Sequence, residues 1–341
     1  MSLFEVKPVD KKFYEERLKN FLPQKMIDIH TRKKNPDAPV RSVKWPSLVA
    51  RQNPIEDLME TYRLMFPDKE VTPMIFSSVK LGDDLEGANN YIRECSEKFS
   101  VPSLIYAVPW WTAQEFEEGI LKGRFYGCKV YLNLSPAYIP QAEIRIFDFL
   151  PHHQLEVLNK HGWIAMLHIP RHGRLKDPVN LAQMLEIERK YPNIKLIIAH
   201  IGRAYVNEDV GNAFEVLAET KNMVFDFSAN TNQWVFEQTI KAVGPKRILF
   251  GSDMPILRMR SKRITKDGIY VNLVPKGLYG DVSGDKNMGE VEGEEAEKLT
   301  FFMYEEIDAM RRAAENTGLG KGDIEDMFYN NAKKILDSVK W

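Results

Sequence analysis

Short apolar runs alternate with amphipathic stretches along most of this chain. Eight of these runs have the length and composition of buried strands, and a stretch with helical periodicity follows most of them. The runs lie at 25–30, 71–79, 103–108, 125–134, 163–169, 194–201, 223–229 and 247–253. Because strands that alternate with helices pair in parallel through right-handed crossovers, the pattern predicts an α/β fold with a parallel sheet.

The number of strand–helix units favours a closed barrel over an open sheet. Eight units match a (β/α)8 TIM barrel, in which the helices lie outside the strands. A doubly wound open sheet would need a glycine-rich turn after the first strand, and the sequence IDIHTRKK has no glycine there. Length alone suggests two domains for 341 residues, but α/β barrels of this size fold as one. We therefore predict a single TIM-barrel domain over residues 1–341.

Two segments lie outside the strand–helix repeat. Residues 1–24 have the pattern of a helical N-terminal extension, and residues 256–296 form a long insertion after the eighth strand. The insertion contains the glycine- and acid-rich sequence GLYGDVSGDKNMGEVEGEE, which predicts a loop. Its place at the C-terminal face of the barrel favours an active-site cap, and an unstructured insertion is the alternative.

The charge balance argues against some classes of partner. The chain has 47 basic and 48 acidic residues and a formal net charge of -1, which is not typical of proteins that bind nucleic acid or membrane surfaces. The N-terminal sequence lacks the apolar core of a signal peptide, and no apolar run is long enough to span a bilayer. Its 2 cysteines form neither a metal motif nor a disulfide framework. We therefore expect a cytoplasmic protein that acts on a small molecule.

Polar residues stand at or near the C-terminal ends of four predicted strands. They are His30, His168, His200 and Asp253, on strands one, five, six and eight. The C-terminal ends of barrel strands face one mouth, so these residues converge in space although they are far apart in sequence. Any one of them alone would be interpreted as a structural hydrogen-bonding group, but burying all four without a ligand or metal costs free energy. The pattern therefore predicts an active site at this mouth.

Several short motifs resemble those of a known family. The sequences IDIH, MLHIPR, IIAHIG and LFGSDMP, together with FYNNAKKIL at residues 328–336, resemble the amidohydrolase superfamily. The resemblance is to the amidohydrolase-related branch, which includes lactonases of dicarboxylate pyrones, aminocarboxymuconate-semialdehyde decarboxylase and resorcylate-type decarboxylases. It extends over residues 25–336 and implies a TIM barrel with hydrolase or decarboxylase chemistry at its mouth.

The resemblance also implies a role for each polar residue at the mouth. His30 matches the first histidine of the His-x-His pair on strand one, and His168 matches the metal ligand on strand five. Asp253 matches the strand-eight carboxylate, which binds metal and orients or deprotonates water. His200 matches the strand-six histidine, which binds metal in some members and carries a proton in others. The implied metal ligands are therefore His30, His168 and Asp253, and the implied catalytic residues are Asp253 and His200.

Arg32 departs from the family pattern, because it stands where the second histidine of the strand-one pair would be. Residues two apart on a strand share a face, so Arg32 points to the same side as His30. A guanidinium has no lone pair for a metal, which argues against a binuclear centre. We expect one divalent metal ion, zinc or manganese, and keep as the alternative a metal-free site in which Arg32 supplies the positive charge.

Further basic residues near the predicted mouth indicate an anionic substrate. Arginine grips a carboxylate with two parallel hydrogen bonds, so several arginines near one mouth favour a small carboxylated substrate. A surface ion pair is the alternative for each arginine alone. Asp226 and Ser228 on strand seven are interpreted as structural hydrogen-bonding residues. The predicted substrate-binding residues are Arg32, Lys129, Arg171, Arg203, Arg258 and Arg260.

These residues support more than one function. The first is hydrolysis of a C–O or C–N bond in a small carboxylated compound, a lactone before others, with Asp253 taking a proton from water. The second is non-oxidative decarboxylation of an aromatic or muconate-like acid, in which His200 or Asp253 protonates carbon. A barrel that has lost catalysis and only binds a ligand is a third alternative. Dimers are common among soluble oligomers, so we expect a homodimer.

Overall fold

Eight parallel strands form the barrel that the hydrophobic pattern predicts, within the part of the chain that the structure describes. The structure is a computed structural model that describes residues 4–33, 45–50 and 53–341. The barrel strands are β1 Lys25–Lys33, β2 Glu70–Ser77, β3 Ile105–Tyr106, β4 Gly127–Val130, β5 Ile164–Leu167, β6 Lys195–Ile198, β7 Val224–Asp226 and β8 Ile248–Leu249.

The barrel closes through two short bridges between its two sheets. Strands β3 to β8 form one parallel sheet in sequential order, and β1 pairs in parallel with β2. A bridge between Ile75 and Ser103 joins β2 to the segment before β3. A bridge between Thr31 and Met254 joins β1 to the segment after β8. The C-terminal ends of β1 and β8 are therefore neighbours, which brings His30 and Asp253 to one side of the mouth.

Most helices lie outside the strands, whereas the short segment α8 is a left-handed turn at the mouth. The described helical segments are α1 Pro8–Phe13, α2 Trp45–Val49, α3 Ile55–Met65, α4 Leu85–Phe99, α5 Ala113–Gly123, α6 His152–His161, α7 Pro178–Lys190, α8 His200–Arg203, α9 Ala213–Ala218, α10 Gln233–Val243, α11 Glu294–Glu297, α12 Phe302–Thr317, α13 Lys321–Glu325 and α14 Asn331–Ser338. Local signals explain where some of them begin. Thr112 and Glu115 form a reciprocal capping box at the start of α5, and Asp177 caps α7. No helix in the described ranges has the length and apolarity needed to cross a membrane.

The C-terminal motif FYNNAKKIL packs against the last barrel strands. Phe328 stacks on Phe250 with ring centroids 5.1 Å apart, and it also contacts Phe227 at 5.6 Å. Each ring that leaves water in this cluster stabilises the fold by about 1.5–3 kcal/mol. The amide of Asn331 donates to the carbonyls of Pro245 and Ile248, both at 2.9 Å. The motif therefore packs against β8 and the segments that flank β7 and β8.

The insertion after β8 contains a small sheet, whereas residues 276–287, in the glycine- and acid-rich part for which a loop is predicted, have no helix or strand. Its strands are β9 Lys262–Lys266, β10 Ile269–Pro275 and β11 Met288–Val291, with β10 in the centre. Asp267 and Gly268 join β9 to β10, and both have positive φ (51° and 71°), as a two-residue hairpin turn requires. An Asp-Gly pair between two alternating runs is a hairpin signal, which explains the two strands that precede the glycine- and acid-rich stretch. The role of this sheet as a cap stays a prediction.

Candidate active site

Three of the predicted residues meet at the mouth of the barrel. His30, His200 and Asp253 each offer one ligand atom, and these atoms all lie within 4.8 Å of one another. The Nε2 atom of His30 is 3.5 Å from Oδ1 of Asp253, and the rings of His30 and His200 have their centroids 4.8 Å apart. The two histidines are almost fully buried. Residues from strands one, six and eight thus form one compact polar cluster.

Strand seven supplies the groups that orient both imidazoles. His30 Nδ1 is 2.9 Å from Oδ2 of Asp226, and His200 Nδ1 is 3.0 Å from the carbonyl oxygen of Ser228. A carboxylate and a carbonyl accept hydrogen bonds, so we assign the proton of each ring to Nδ1. The lone pair of each ring is then on Nε2, which is the arrangement that a histidine needs to bind a metal.

Asp226 is the centre of this hydrogen-bond network. Besides the His30 ring, it accepts hydrogen bonds from the backbone N–H groups of His200 (2.9 Å) and Ser228 (3.2 Å) and from the Ser228 hydroxyl. Burial acts to raise the pKa of Asp226, but the interactions with His30 and His200 and the hydrogen bond from Ser228 outweigh it and hold that pKa below its ordinary value. Asp226 therefore stays ionised. The strand pattern predicts only structural roles for Asp226 and Ser228, but their i, i+2 spacing at a strand end is a signal for this larger role.

The backbone around the cluster takes conformations that are rare for residues with a side chain. His200, Arg203 and Asp253 have φ values of 57°, 62° and 52°. Such left-handed residues cost free energy and concentrate at functional sites. Gly202 has φ 59°, and a Cβ atom there would lie 2.5 Å from Cδ1 of Leu175. The glycine in the IIAHIG motif therefore allows the tight turn that follows His200.

Arg32 points into the cluster, on the same side as His30, as strand geometry predicts. Its Nη2 atom is 2.9 Å from Oδ1 of Asp253, and its side chain is one-third exposed. Two imidazole nitrogens and one carboxylate oxygen match a single divalent ion with an open coordination position. Arg32 has no lone pair and occupies the neighbourhood of Asp253, so the donor set fits one ion and not two.

His168 lies beside the cluster rather than in the group that could hold an ion. Its ring is 5.4 Å from that of His200 and 4.6 Å from that of Tyr131. Its Nδ1 atom is buried without a hydrogen-bond partner among the described residues. Burial, and then the charges of Arg203 and His200, hold the pKa of His168 well below its ordinary value. His168 therefore lies outside the group of His30, His200 and Asp253, whose ligand atoms lie within 4.8 Å of one another, and the identity of the metal ligands stays a prediction.

A pocket of about 320 Å³ opens next to His168. Its lining is mixed, with aromatic and aliphatic walls and a few polar groups that point inward, as is usual for sites of small molecules. Tyr131 and Asn133 also line the pocket, but the strand-end pattern does not predict them. Neither is a polar residue at the end of a predicted apolar run. The lining residues are Tyr131, Leu132, Asn133, Gln141, Ile144, His168, Pro170, His172 and Arg203.

Lys129 is a buried amine close to the carboxylates of the cluster. Its side chain points away from water, and its Nζ atom is 3.4 Å from the carbonyl oxygen of Val130. Burial lowers the pKa of Lys129 to about 8, although Asp226 and Asp253 act in the opposite direction. Lys129 therefore still carries a positive charge at neutral pH, near Asp253.

The predicted substrate-binding arginines divide into two groups. Arg203 lines the pocket and donates from Nη1 to the carbonyls of residues 169–171, and Arg171 pairs with Asp177 at 3.2 Å. Arg258 and Arg260 do not line this pocket, which does not support their predicted contact with substrate. Arg258 is buried, and its Nη1 atom donates to the Thr61 hydroxyl at 3.4 Å. Arg260 binds Asp10 of α1 through hydrogen bonds of 2.8 and 2.7 Å.

We expect the purified protein to bind one equivalent of Zn²⁺ or Mn²⁺. The His200→Ala variant should weaken this binding by more than the roughly 10–100-fold that loss of an outer-shell partner causes, because it removes a donor atom. The His168→Ala variant should change the dissociation constant far less, since His168 lies outside the group. Isothermal titration with each variant, with metal content measured separately, checks this prediction. Equal losses in the two variants would return His168 to the ligand set.

The comparisons with known proteins agree with this fold. Residues 104–273 match the sequence model of the amidohydrolase family. No curated protein sequence matches the chain. Among solved structures, an amidohydrolase from Burkholderia multivorans with bound HEPES has a TM-score of 0.59 at 13% identity, and the match covers 92% of this chain and 99% of that one.

Two further structures have named activities. A probable 2-pyrone-4,6-dicarboxylic acid hydrolase from Acinetobacter baumannii, with citric acid bound, matches at 14% identity and a TM-score of 0.56 over 92% of this chain and 99% of that one. A dihydroxybenzoic acid decarboxylase from a Polaromonas species, with bound manganese and the inhibitor 2-nitroresorcinol, matches at 16% identity and a TM-score of 0.53 over 92% and 97%. At these identities the similarity shows a shared fold, which is the predicted (β/α)8 barrel.

Proposed function

We propose that this chain is a hydrolase of a small carboxylated compound. Its resemblance to the amidohydrolase family, which the match over residues 104–273 confirms, supports the proposal. The bond is a C–O or C–N bond, and a lactone is the first candidate. The observation that carries the proposal is the convergence of His30, His200 and Asp253 within 4.8 Å at the barrel mouth. Such a cluster of two oriented imidazoles and a carboxylate suits activation of water next to a carbonyl group.

In this proposal Asp253 takes the proton from the attacking water. The contacts of Asp253 with Arg32 (2.9 Å) and His30 (3.5 Å) both use Oδ1, so among the described residues neither of them occupies Oδ2. A divalent ion held by His30, His200 and Asp253 would polarise the carbonyl and lower the pKa of water. Arg32 and Lys129 place positive charge where the tetrahedral oxyanion develops, which stabilises the transition state.

The pocket supports a substrate with a carboxylate. All three hydrogen bonds of the Arg203 side chain in the described part of the chain use Nη1, which leaves Nη2 and Nε to bind an anion. The unpartnered Nδ1 of His168 offers a further hydrogen bond to a polar group of the substrate. A cavity of about 320 Å³ accepts a compound of the size of a sugar-acid lactone or an aromatic acid.

Decarboxylation is the second candidate, and Lys129 is the observation that favours it. A non-oxidative decarboxylase must deliver a proton to carbon. The amine of Lys129, with its pKa lowered to about 8, is protonated at neutral pH and close in pKa to the working pH of most enzymes. It lies beside the same carboxylates, so the two reactions share most of the site.

Turnover in H₂¹⁸O distinguishes the two reactions. The protein, loaded with Zn²⁺ or Mn²⁺, is incubated with a panel of sugar-acid lactones, cyclic carboxylated esters and hydroxylated aromatic acids. Hydrolysis should place one ¹⁸O atom in the product carboxylate and release no CO₂, and a reaction without protein corrects for spontaneous lactone opening. Release of CO₂ from an aromatic acid without incorporation of label would favour the decarboxylase. Binding without turnover across the panel would favour the barrel that only binds a ligand.

A further inference from the structure

A half-buried arginine of the insertion contacts the two loops that hold His200. Arg263 lies on β9, and its Nη1 atom donates to the carbonyl oxygen of Ala229 at 2.6 Å. Ala229 directly follows Ser228, whose carbonyl oxygen lies 3.0 Å from Nδ1 of His200. Ala229 also has φ 53°, a conformation that needs support from its surroundings. The guanidinium therefore fixes the backbone next to the hydrogen-bond acceptor of His200.

The same guanidinium packs against the loop that follows His200 in sequence. The Cζ atom of Arg263 is 4.8 Å from the ring centroid of Tyr205, 4.4 Å from that of Tyr270 and 4.7 Å from that of Phe302. Tyr205 in turn has its ring centroid 6.3 Å from that of His200. Cation–π contacts attract the guanidinium to these rings, and three of them surround this half-buried side chain.

The two loops are also connected to each other and to the insertion. Asn230 donates to the carbonyl oxygen of Ala204 at 2.7 Å, and the rings of Tyr205 and Tyr270 meet edge to face with centroids 5.1 Å apart. Nε of Arg263 donates to Asn272 at 2.8 Å, so the guanidinium is also fixed within its own sheet. These contacts form one continuous path from strands β9 and β10 to His200.

We propose that Arg263 is a positioning residue for His200, and that the insertion acts as a fixed support of the site rather than as a mobile lid. This inference rests on the proposed function in so far as His200 is part of the site. The planar guanidinium donates to the Ala229 carbonyl while its faces pack on aromatic rings. A lysine keeps the charge but has no planar fork, and a methionine keeps only the apolar stem.

The test measures the His200 ring and metal binding in four variants. Arg263→Met removes the guanidinium, and Arg263→Lys keeps its charge. Tyr270→Leu removes one ring of the stack without burying an unpaired charge. Lys266→Met, an exposed residue on the same strand, is the matched control. In each folded variant, ¹⁵N-histidine spectra of the metal-free protein report the Nδ1–H tautomer of His200, and titration with Zn²⁺ gives a dissociation constant.

We expect the Nδ1–H signal of His200 to shift or broaden in Arg263→Met and in Tyr270→Leu. The Zn²⁺ dissociation constant should rise by about 10–100-fold in Arg263→Met and by less in Arg263→Lys, as for loss of an outer-shell partner. Lys266→Met should match the wild type in both measurements. Unchanged His200 signals in the folded variants would overturn the inference, and so would equal losses in Lys266→Met. If Arg263→Met does not fold, the His200 spectra and Zn²⁺ dissociation constants of Arg263→Lys and Tyr270→Leu test the inference instead.

These readouts separate this inference from the proposed function. The His200 spectrum does not depend on turnover or on metal. A wild type that hydrolyses nothing would sink the proposed function, while the spectra of the variants would still decide whether Arg263 positions His200.

Discussion

The Asp253→Asn variant is expected to lose about 10²–10⁴-fold in kcat/KM, which corresponds to roughly 3–5 kcal/mol of transition-state stabilisation. An asparagine has almost the same shape as the aspartate but cannot take a proton from water. It also carries no charge, so the contact with Arg32 at 2.9 Å loses most of its attraction. Initial rates on the substrate that the lactone panel identifies, measured at saturating metal, check this prediction.

Two controls separate chemistry from metal loss and from misfolding. Metal content is measured for wild type and Asp253→Asn, because the substitution also removes an anionic donor from the His30, His200 and Asp253 group. Asp267→Asn lies in the exposed hairpin turn of the insertion, where asparagine tolerates positive φ, and it should behave as wild type. Equal turnover in wild type and metal-loaded Asp253→Asn would remove Asp253 from the mechanism.

The Asp10→Ala variant is expected to lose about 3–5 kcal/mol of unfolding free energy, which is the largest effect on stability that we predict. Asp10 is fully buried and pairs with the buried Arg260 at 2.7 Å. It also accepts a hydrogen bond from Thr300 at 2.7 Å. Removing the carboxylate leaves a buried guanidinium without its counter-charge. Urea unfolding should show a lower midpoint at nearly the same slope.

The matched controls use an exposed pair and an apolar replacement. Lys12 and Glu16 lie 4.0 Å apart with 71% and 61% of their side chains exposed, so Lys12→Ala should change the unfolding free energy by no more than about 0.5 kcal/mol. Replacing both partners, as Asp10→Leu with Arg260→Met, should recover part of the loss because no unpaired charge remains buried. A wild-type midpoint in Asp10→Ala would contradict the structural role that we assign to Arg260.

Local patterns in the sequence were sufficient for the architecture. Apolar runs with helical stretches between them predict eight parallel strands, because side-chain periodicity and turn chemistry act over a few residues. The same reasoning places His30 and Arg32 on one face of β1, and both do contact Asp253. The rule that strand ends of a barrel share one mouth predicts that His30, His200 and Asp253 meet. These predictions require no knowledge of the distances between side chains that are far apart in the sequence.

The identity of the close contacts was decided by the tertiary structure alone. His168 and His200 both end strands, yet of these two only His200 has a ligand atom within 4.8 Å of those of His30 and Asp253. Distances between ligand atoms depend on local backbone turns, such as the left-handed one at His200. Arg260 follows the mouth strand closely in sequence, but its partner Asp10 is 250 residues away. The hydrogen bonds of Asp226 with the His30 imidazole and with the His200 backbone likewise join three strands that are distant in the chain. Sequence therefore determines which elements form and in what order, whereas long-range packing determines which polar groups touch, since that choice depends on the whole fold at once.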